Sequence, residues 1–167
     1  LAPLRSGDNC ADVSCKDSGE SFDYTAFPAL TVLITAHNEQ GHIAEKLENT
    51  LACCEYYRER VKREVEVIVA SDGSSDETDS IVTRDFSSRG VKLVRLSTPG
   101  GKEQAQKAAL NSVNGEVVVF TDAKVKMAEP ALFEFGKYFC DPKVGAVSSI
   151  DKVEGAATET SGEGFYV

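Results

Sequence analysis

No apolar run in these 167 residues approaches the roughly 20 residues of a membrane-spanning helix, and no secretory leader is evident. Membrane association is therefore expected only through parts outside this chain. It opens on Leu1 rather than Met, so preceding sequence is expected to have been removed. Basic charge is scarce as well. The net charge of −9 excludes a nucleic-acid backbone as the main partner, since phosphate-backbone binding needs clustered Lys and Arg. The five cysteines, Cys10, Cys15, Cys53, Cys54 and Cys140, lack metal-ligand spacing and are odd in number. A reduced compartment is the simplest reading, with Cys53 and Cys54 as packing residues and a Cys10–Cys15 bridge as the alternative under oxidation. Neither G-x-G-x-x-G nor G-x-x-x-x-G-K-[ST] occurs, which removes the main support for dinucleotide binding and for ordinary NTPase chemistry. No repeat of 20 to 50 residues is present.

What is there is an alternation. Leu1 to Phe27 mixes charges with Gly, Ser and Pro and shows little periodicity, so residues 1–28 are expected to form a linker or arm. Leu30 to Ala36 reads as a buried strand, followed by the polar turn His37 to Gly41. Ile43, Leu47 and Leu51 then recur every four residues, with Ala44 and Cys54 alongside, which predicts an amphipathic helix. Val65 to Ser71 is a second strand. It runs into Asp72-Gly73-Ser74-Ser75-Asp76, where Ser74 and Glu77 have the spacing of a capping box, and Thr78, Ile81, Val82 and Phe86 share a helical face. A third strand, Val91 to Leu96, leads through Pro99-Gly100-Gly101 to a helix with the small residues Ala105, Ala108 and Ala109. The run Val117 to Thr121 predicts a strand buried on both faces, ending at Asp122. Pro130 suits the first turn of a helix carrying Leu132, Phe133, Phe135 and Phe139 inward. Val144 to Val147 predicts a fifth strand.

Strand and helix alternating from residue 29 to 150 predict an α/β fold: a largely parallel sheet with helices on both faces. Glu39, Asp72 and Asp122 each follow a strand, so all three are expected on the carboxyl rim, where open α/β sheets bind ligands. One aspartate at such a place is ordinarily a cap or turn residue. Three around one crevice favour a ligand site. Lys102, after Gly100-Gly101 at a helix start, is placed to meet a phosphate. His37 and His42 are too isolated for a zinc site, and His37 reads as a turn residue lining the crevice.

Four segments, in order, resemble family 2 glycosyltransferases of the GT-A fold, whose nucleotide-sugar-binding half is Rossmann-like. They are Leu33-Ile34-Thr35-Ala36-His37-Asn38-Glu39, Val67 to Thr78 around Ser71-Asp72-Gly73-Ser74, Gly101-Lys102 with Ala108-Ala109-Leu110-Asn111, and Val118-Val119-Phe120-Thr121-Asp122-Ala123. The resemblance implies inverting transfer of a sugar from a nucleotide-sugar donor, typically a UDP-sugar, to a glycan or lipid-linked acceptor. It implies that Ala36 and Glu39 line the nucleoside pocket, that Asp72 accepts a hydrogen bond from the base, and that Lys102 lies near the donor. Asp122 would hold the ribose or help bind Mg²⁺ or Mn²⁺ at the diphosphate. Many relatives carry Asp-x-Asp where this chain has Asp122-Ala123-Lys124; losing one hard oxygen ligand leaves Lys124 as the alternative neutraliser of phosphate.

The resemblance further places the catalytic base beyond Val167, with residues 151–167 opening the acceptor region. It implies a cytoplasmic location, at the cytoplasmic face of a membrane in a full-length parent. The rival reading is a non-catalytic nucleotide-binding or interaction module of the same fold. A nucleotide-sugar pyrophosphorylase is weaker, because the first βα turn has no Gly-rich loop bearing Arg or Lys.

Overall fold

The computed structural model describes residues 24–149. Four strands, β1 (Leu30–Ala36), β2 (Val65–Ser71), β3 (Val91–Arg95) and β4 (Val117–Asp122), form one parallel sheet in the order β3-β2-β1-β4. Helices α1 (Ile43–Val61), α2 (Thr78–Ile81), α3 (Lys102–Leu110) and α4 (Ala131–Tyr138) fill the connections and the stretch after β4. The register sets Ala36 beside Ser71 and Thr35 beside Asp122. The carboxyl ends of β1, β2 and β4 therefore lie side by side.

Alternation along the strands divides the core. Val32, Ile34 and Ala36 of β1, with Val65, Val67 and Val69 of β2, share a buried cluster with Ile43, Leu47, Cys53, Cys54 and Tyr57 of α1 and Leu132 of α4. Leu33, Ile68 and Ala70 point the other way, onto Ala105 and Ala109 of α3. Helices thus cover both faces, as the sequence predicts, and every residue of β1 is buried. Burying each such Leu or Ile contributes about 1.5–3 kcal/mol, which is why β1 and β2 read as mostly apolar runs rather than as strictly alternating ones.

Several expectations need correction. β4 is only half buried, with Phe120 51% exposed, because no described strand lies on its far side. The strand expected at Val144–Val147 does not form: these residues are irregular and largely exposed, and the Val144 N–H closes a turn onto the Asp141 carbonyl instead. The segment contains Gly145 and has no ladder partner among the described residues, and an unpaired strand gains nothing to offset its ordering. The capping box is absent too. Ser74 Oγ is taken up by Asn38 and Ser71, and the start of α2 is held by Asp76 Oδ1, which accepts from Thr78 N at 3.0 Å. On α1, Ala44 is exposed and Lys46 takes an inward position. Phe27, expected in the arm, belongs to the core: it stacks on Phe133 with ring centroids 5.2 Å apart and meets Tyr57 edge-on. Residues 1–23, the Cys10–Cys15 pair and the acceptor region expected at 151–167 lie outside the described residues.

Candidate functional site on the carboxyl rim

The rim is built by two loops tied together. Asn38, after β1, sits in the left-handed region at φ 54° and accepts from Ser75 N through Oδ1 at 2.8 Å. Its own N–H donates to Ser74 Oγ at 3.2 Å. Glu39 N donates to Thr78 Oγ1 at 2.8 Å, Gln40 N to Asp76 Oδ2 at 3.1 Å, and Glu77 N to Gln40 Oε1 at 3.1 Å. These bonds satisfy backbone donors that would otherwise lack partners, and they fix the turn after β1 against the turn after β2. Short Asn, Asp, Ser and Thr side chains favour such turn-to-backbone bonds.

Asp72 is buried at the end of β2. Its Oδ1 accepts from Gly100 N at 2.6 Å and its Oδ2 from Gly101 N at 2.9 Å. The carboxylate thereby pins the loop between β3 and α3. Gly73 makes the approach feasible, since its φ is +60° and a Cβ there would stand 2.8 Å from Pro99 N. Each carboxylate oxygen keeps further acceptor capacity beyond these bonds. His37, exposed beside the crevice, bonds through Nδ1 to the Asp72 carbonyl at 2.7 Å, the turn role expected of it.

The pinned loop delivers Lys102 across the sheet. Its Nζ lies 3.4 Å from Asp122 Oδ2, on β4. Asp122 Oδ1 accepts from Lys124 N at 3.2 Å, and Lys124 Nζ reaches Glu39 Oε1 at 3.2 Å. Glu39 Oε2 is 3.0 Å from His42 Nδ1. Glu39, Lys124, Asp122 and Lys102 thus form one chain of contacts over the ends of β1 and β4, with Ala36 buried beneath. The three acids and Lys102 predicted for one crevice do share one rim; Asp72 meets the others through the Gly100–Lys102 loop.

Sequence reading missed Lys46. It is buried, and its Nζ donates to Thr121 Oγ1 at 2.9 Å and to the Val125 carbonyl, which clamps both sides of Asp122. Burial pushes its ammonium down to about 8, against the pull of Cys53 and Asp122. The signal was its position three residues after Ile43, on the inward stripe of α1. Gln106 was missed as well; its Nε2 donates to Thr35 Oγ1 at 3.1 Å and docks α3 on β1.

The donor set at β4 does not suit a hard divalent cation. Such an ion wants several oxygen ligands, commonly carboxylates. Here Asp122 faces an ammonium at 3.4 Å, Glu39 on the same rim is paired to Lys124, and no group of three His, Cys, Asp or Glu side chains converges among the described residues.

Residues 31–164 match the sequence profile of glycosyl transferase family 2. The chain belongs to that family. This family 2 chain is similar to a mannosyltransferase of Pyrobaculum calidifontis solved with GDP-Man and Mn²⁺, at 35% identity and a TM-score of 0.69, over 78% of this chain and 37% of that one. TarS of S. aureus, solved with UDP-GlcNAc, is 28% identical with a TM-score of 0.55, over 64% of this chain and 30% of that one. An undecaprenyl-phosphate 4-deoxy-4-formamido-L-arabinose transferase of Edwardsiella ictaluri is 27% identical over 106 residues, 62% of this chain. The family 2 chain spans 31% of that transferase's length and 30% of that of an N-acetylglucosaminyltransferase of Rhizobium meliloti. These neighbours carry the GT-A fold expected from the resemblance. No described helix is long and apolar enough to cross a membrane.

Proposed function

We propose that this chain is the donor-binding part of an inverting glycosyltransferase, which takes a sugar from a nucleoside diphosphate carrier, UDP first, to a glycan or lipid-linked acceptor. The observation that carries the reading is the Glu39–Lys124–Asp122–Lys102 chain over the ends of β1 and β4. Support comes from the Pyrobaculum structure with GDP-Man and the S. aureus structure with UDP-GlcNAc. The undecaprenyl-phosphate transferase supports a lipid-linked acceptor and work at a membrane face.

In this reading Ala36 and Glu39 line the nucleoside pocket. Asp72, already fixed by two N–H donors, accepts from the base with its remaining lone pairs, and a carboxylate makes the stronger, charge-assisted bond. Asp122 accepts from a ribose hydroxyl, and Lys102 meets the diphosphate. During transfer the acceptor oxygen bonds to the anomeric carbon, the bond to the diphosphate oxygen breaks, and the acceptor proton passes to a base. That base is proposed to lie beyond Val167, in the acceptor half.

Calorimetric titration of UDP and of GDP into residues 1–167 tests donor binding. At least one should bind, and Asp122→Ala should weaken it about tenfold, the loss of one charged hydrogen bond. Absence of heat with both nucleotides, with and without Mn²⁺, would sink the reading. The rival, a non-catalytic module, draws its interest from Lys124 in place of the second Asp of Asp-x-Asp; donor-dependent sugar transfer by the full-length protein separates the two.

A further inference from the structure

The disagreement between the family's Asp-x-Asp pattern and the side chains at the end of β4 points to how this site handles charge. A divalent ion at Asp122 would stand among like charges: Lys102 Nζ is 3.4 Å from Oδ2, and the residue that would otherwise supply a second oxygen ligand is itself an ammonium, 3.2 Å from Glu39 Oε1. Like charges at such separations disfavour one another, and an ammonium donates where a metal needs an acceptor. A nucleoside diphosphate presents the opposite demand, because its oxygens accept hydrogen bonds and carry negative charge.

We propose that Lys102 and Lys124 hold the donor diphosphate directly, so that nucleotide binding by this chain does not depend on a divalent cation. The inference rests on the donor-binding reading above and adds the recognition chemistry of its phosphate subsite. Both lysines can reach out. Their side chains are 60% and 62% exposed, and each is tied in the free protein only to a carboxylate. The Lys102–Asp122 pair is exposed on both sides, and such pairs are weak; Glu39, the partner of Lys124, is only 14% exposed, but its other oxygen has His42 Nδ1 at 3.0 Å. Their bases, by contrast, are anchored. Lys102 follows the two glycines held by Asp72, and the backbone around Lys124 is clamped by Lys46 at Thr121 and Val125. The site is therefore anchored at the backbone and exposed at the ammoniums, which suits capture of a charged group without a preformed metal cage.

The test is calorimetry of UDP and GDP against residues 1–167, once with Mn²⁺ and once with EDTA, repeated on Lys102→Ala, Lys124→Ala, Lys124→Arg and Lys124→Asp. The wild type should bind its preferred nucleotide within about twofold in both conditions. Each alanine variant should weaken EDTA binding about tenfold, the scale of one charge-assisted bond. Lys124→Arg should retain affinity, and Lys124→Asp should bind weakly in EDTA and recover with Mn²⁺. Wild-type binding that vanishes in EDTA overturns the inference while leaving the donor-binding reading intact, as does EDTA binding unchanged in both alanine variants. Failure of both nucleotides in both conditions overturns the two together.

Discussion

Asp72 accepts a hydrogen bond from the Gly101 N–H at 2.9 Å, which joins the end of β2 to the start of α3. A residue that sequence marks for the base of a nucleotide is therefore also the anchor of the phosphate-side loop. Asp72→Asn keeps one carbonyl acceptor and loses the other. It should destabilise the fold by about 1–3 kcal/mol, seen in urea unfolding, and should speed hydrogen exchange at Gly100 and Gly101. Unchanged exchange at both amides would contradict the anchoring role.

Gly73→Ala tests the close approach beneath that loop. The added Cβ would meet Pro99 N at 2.8 Å, in a backbone conformation, φ +60°, that alanine adopts only under strain. A loss of about 1–3 kcal/mol is expected, read as a lowered melting temperature, together with weaker nucleotide binding. A variant as stable as the wild type would show that the loop yields without cost.

Lys46 gives a signature at alkaline pH. Its pKa is lowered on folding, from 10.5 to about 8, so the unfolded chain binds the extra proton between those values and stability rises with pH there. Burial raises Cys54 from 9.0 to about 12 and raises Tyr57 above its usual 10.0, and both shifts oppose the gain at higher pH. The clean window is therefore about pH 8 to 9, where the wild type should gain up to about 1 kcal/mol. Lys46→Met should abolish that rise in unfolding measurements, and should loosen the backbone around Asp122 because Thr121 and Val125 lose their donor.

Glu66 contributes to the acid limit. Burial opposes its ionisation, but bonds from Lys92, from the backbone and side chain of Asn114 and from Thr31 Oγ1 outweigh that and hold it at about 2. A depressed carboxylate stabilises above its unfolded value and loses its contribution as pH falls, here from 4.5 towards about 2. Glu66→Gln should shift the acid unfolding midpoint upward in far-UV circular dichroism and cost about 1–2 kcal/mol at neutral pH. An unmoved acid transition would remove Glu66 from its causes.

Local pattern made much of this protein legible. The runs at Leu30 to Ala36 and Val65 to Ser71 are strands because both faces are covered, and a strand with little wet surface leaves a mostly apolar record. Ile43, Leu47 and Cys54 mark α1 by helical spacing, and Asp72-Gly73-Ser74 and Thr121-Asp122 betray the family because turns constrain residue types locally. The placing of Glu39 and Asp122 on one rim also follows, since parallel strands present their carboxyl ends together.

Other features depend on partners distant in the chain. That β1 lies between β2 and β4 leaves β4 with no described strand on its far side and Phe120 half exposed. Lys46 turns inward because a hydroxyl and a carbonyl from the end of β4 wait there, 75 and 79 residues away. Asp72 closes on two glycine amides whose strand-to-helix loop is set by a neighbouring crossover, and Lys124 finds Glu39 only when β1 and β4 pair. The sequence by itself determined the four strands that pair and the helices that cover them, the family, and the rim on which the acids gather, because covering layers and turn geometry act residue by residue. Tertiary structure alone decided what each charged group holds, because a buried or paired charge is defined by the opposite group that packing brings to it.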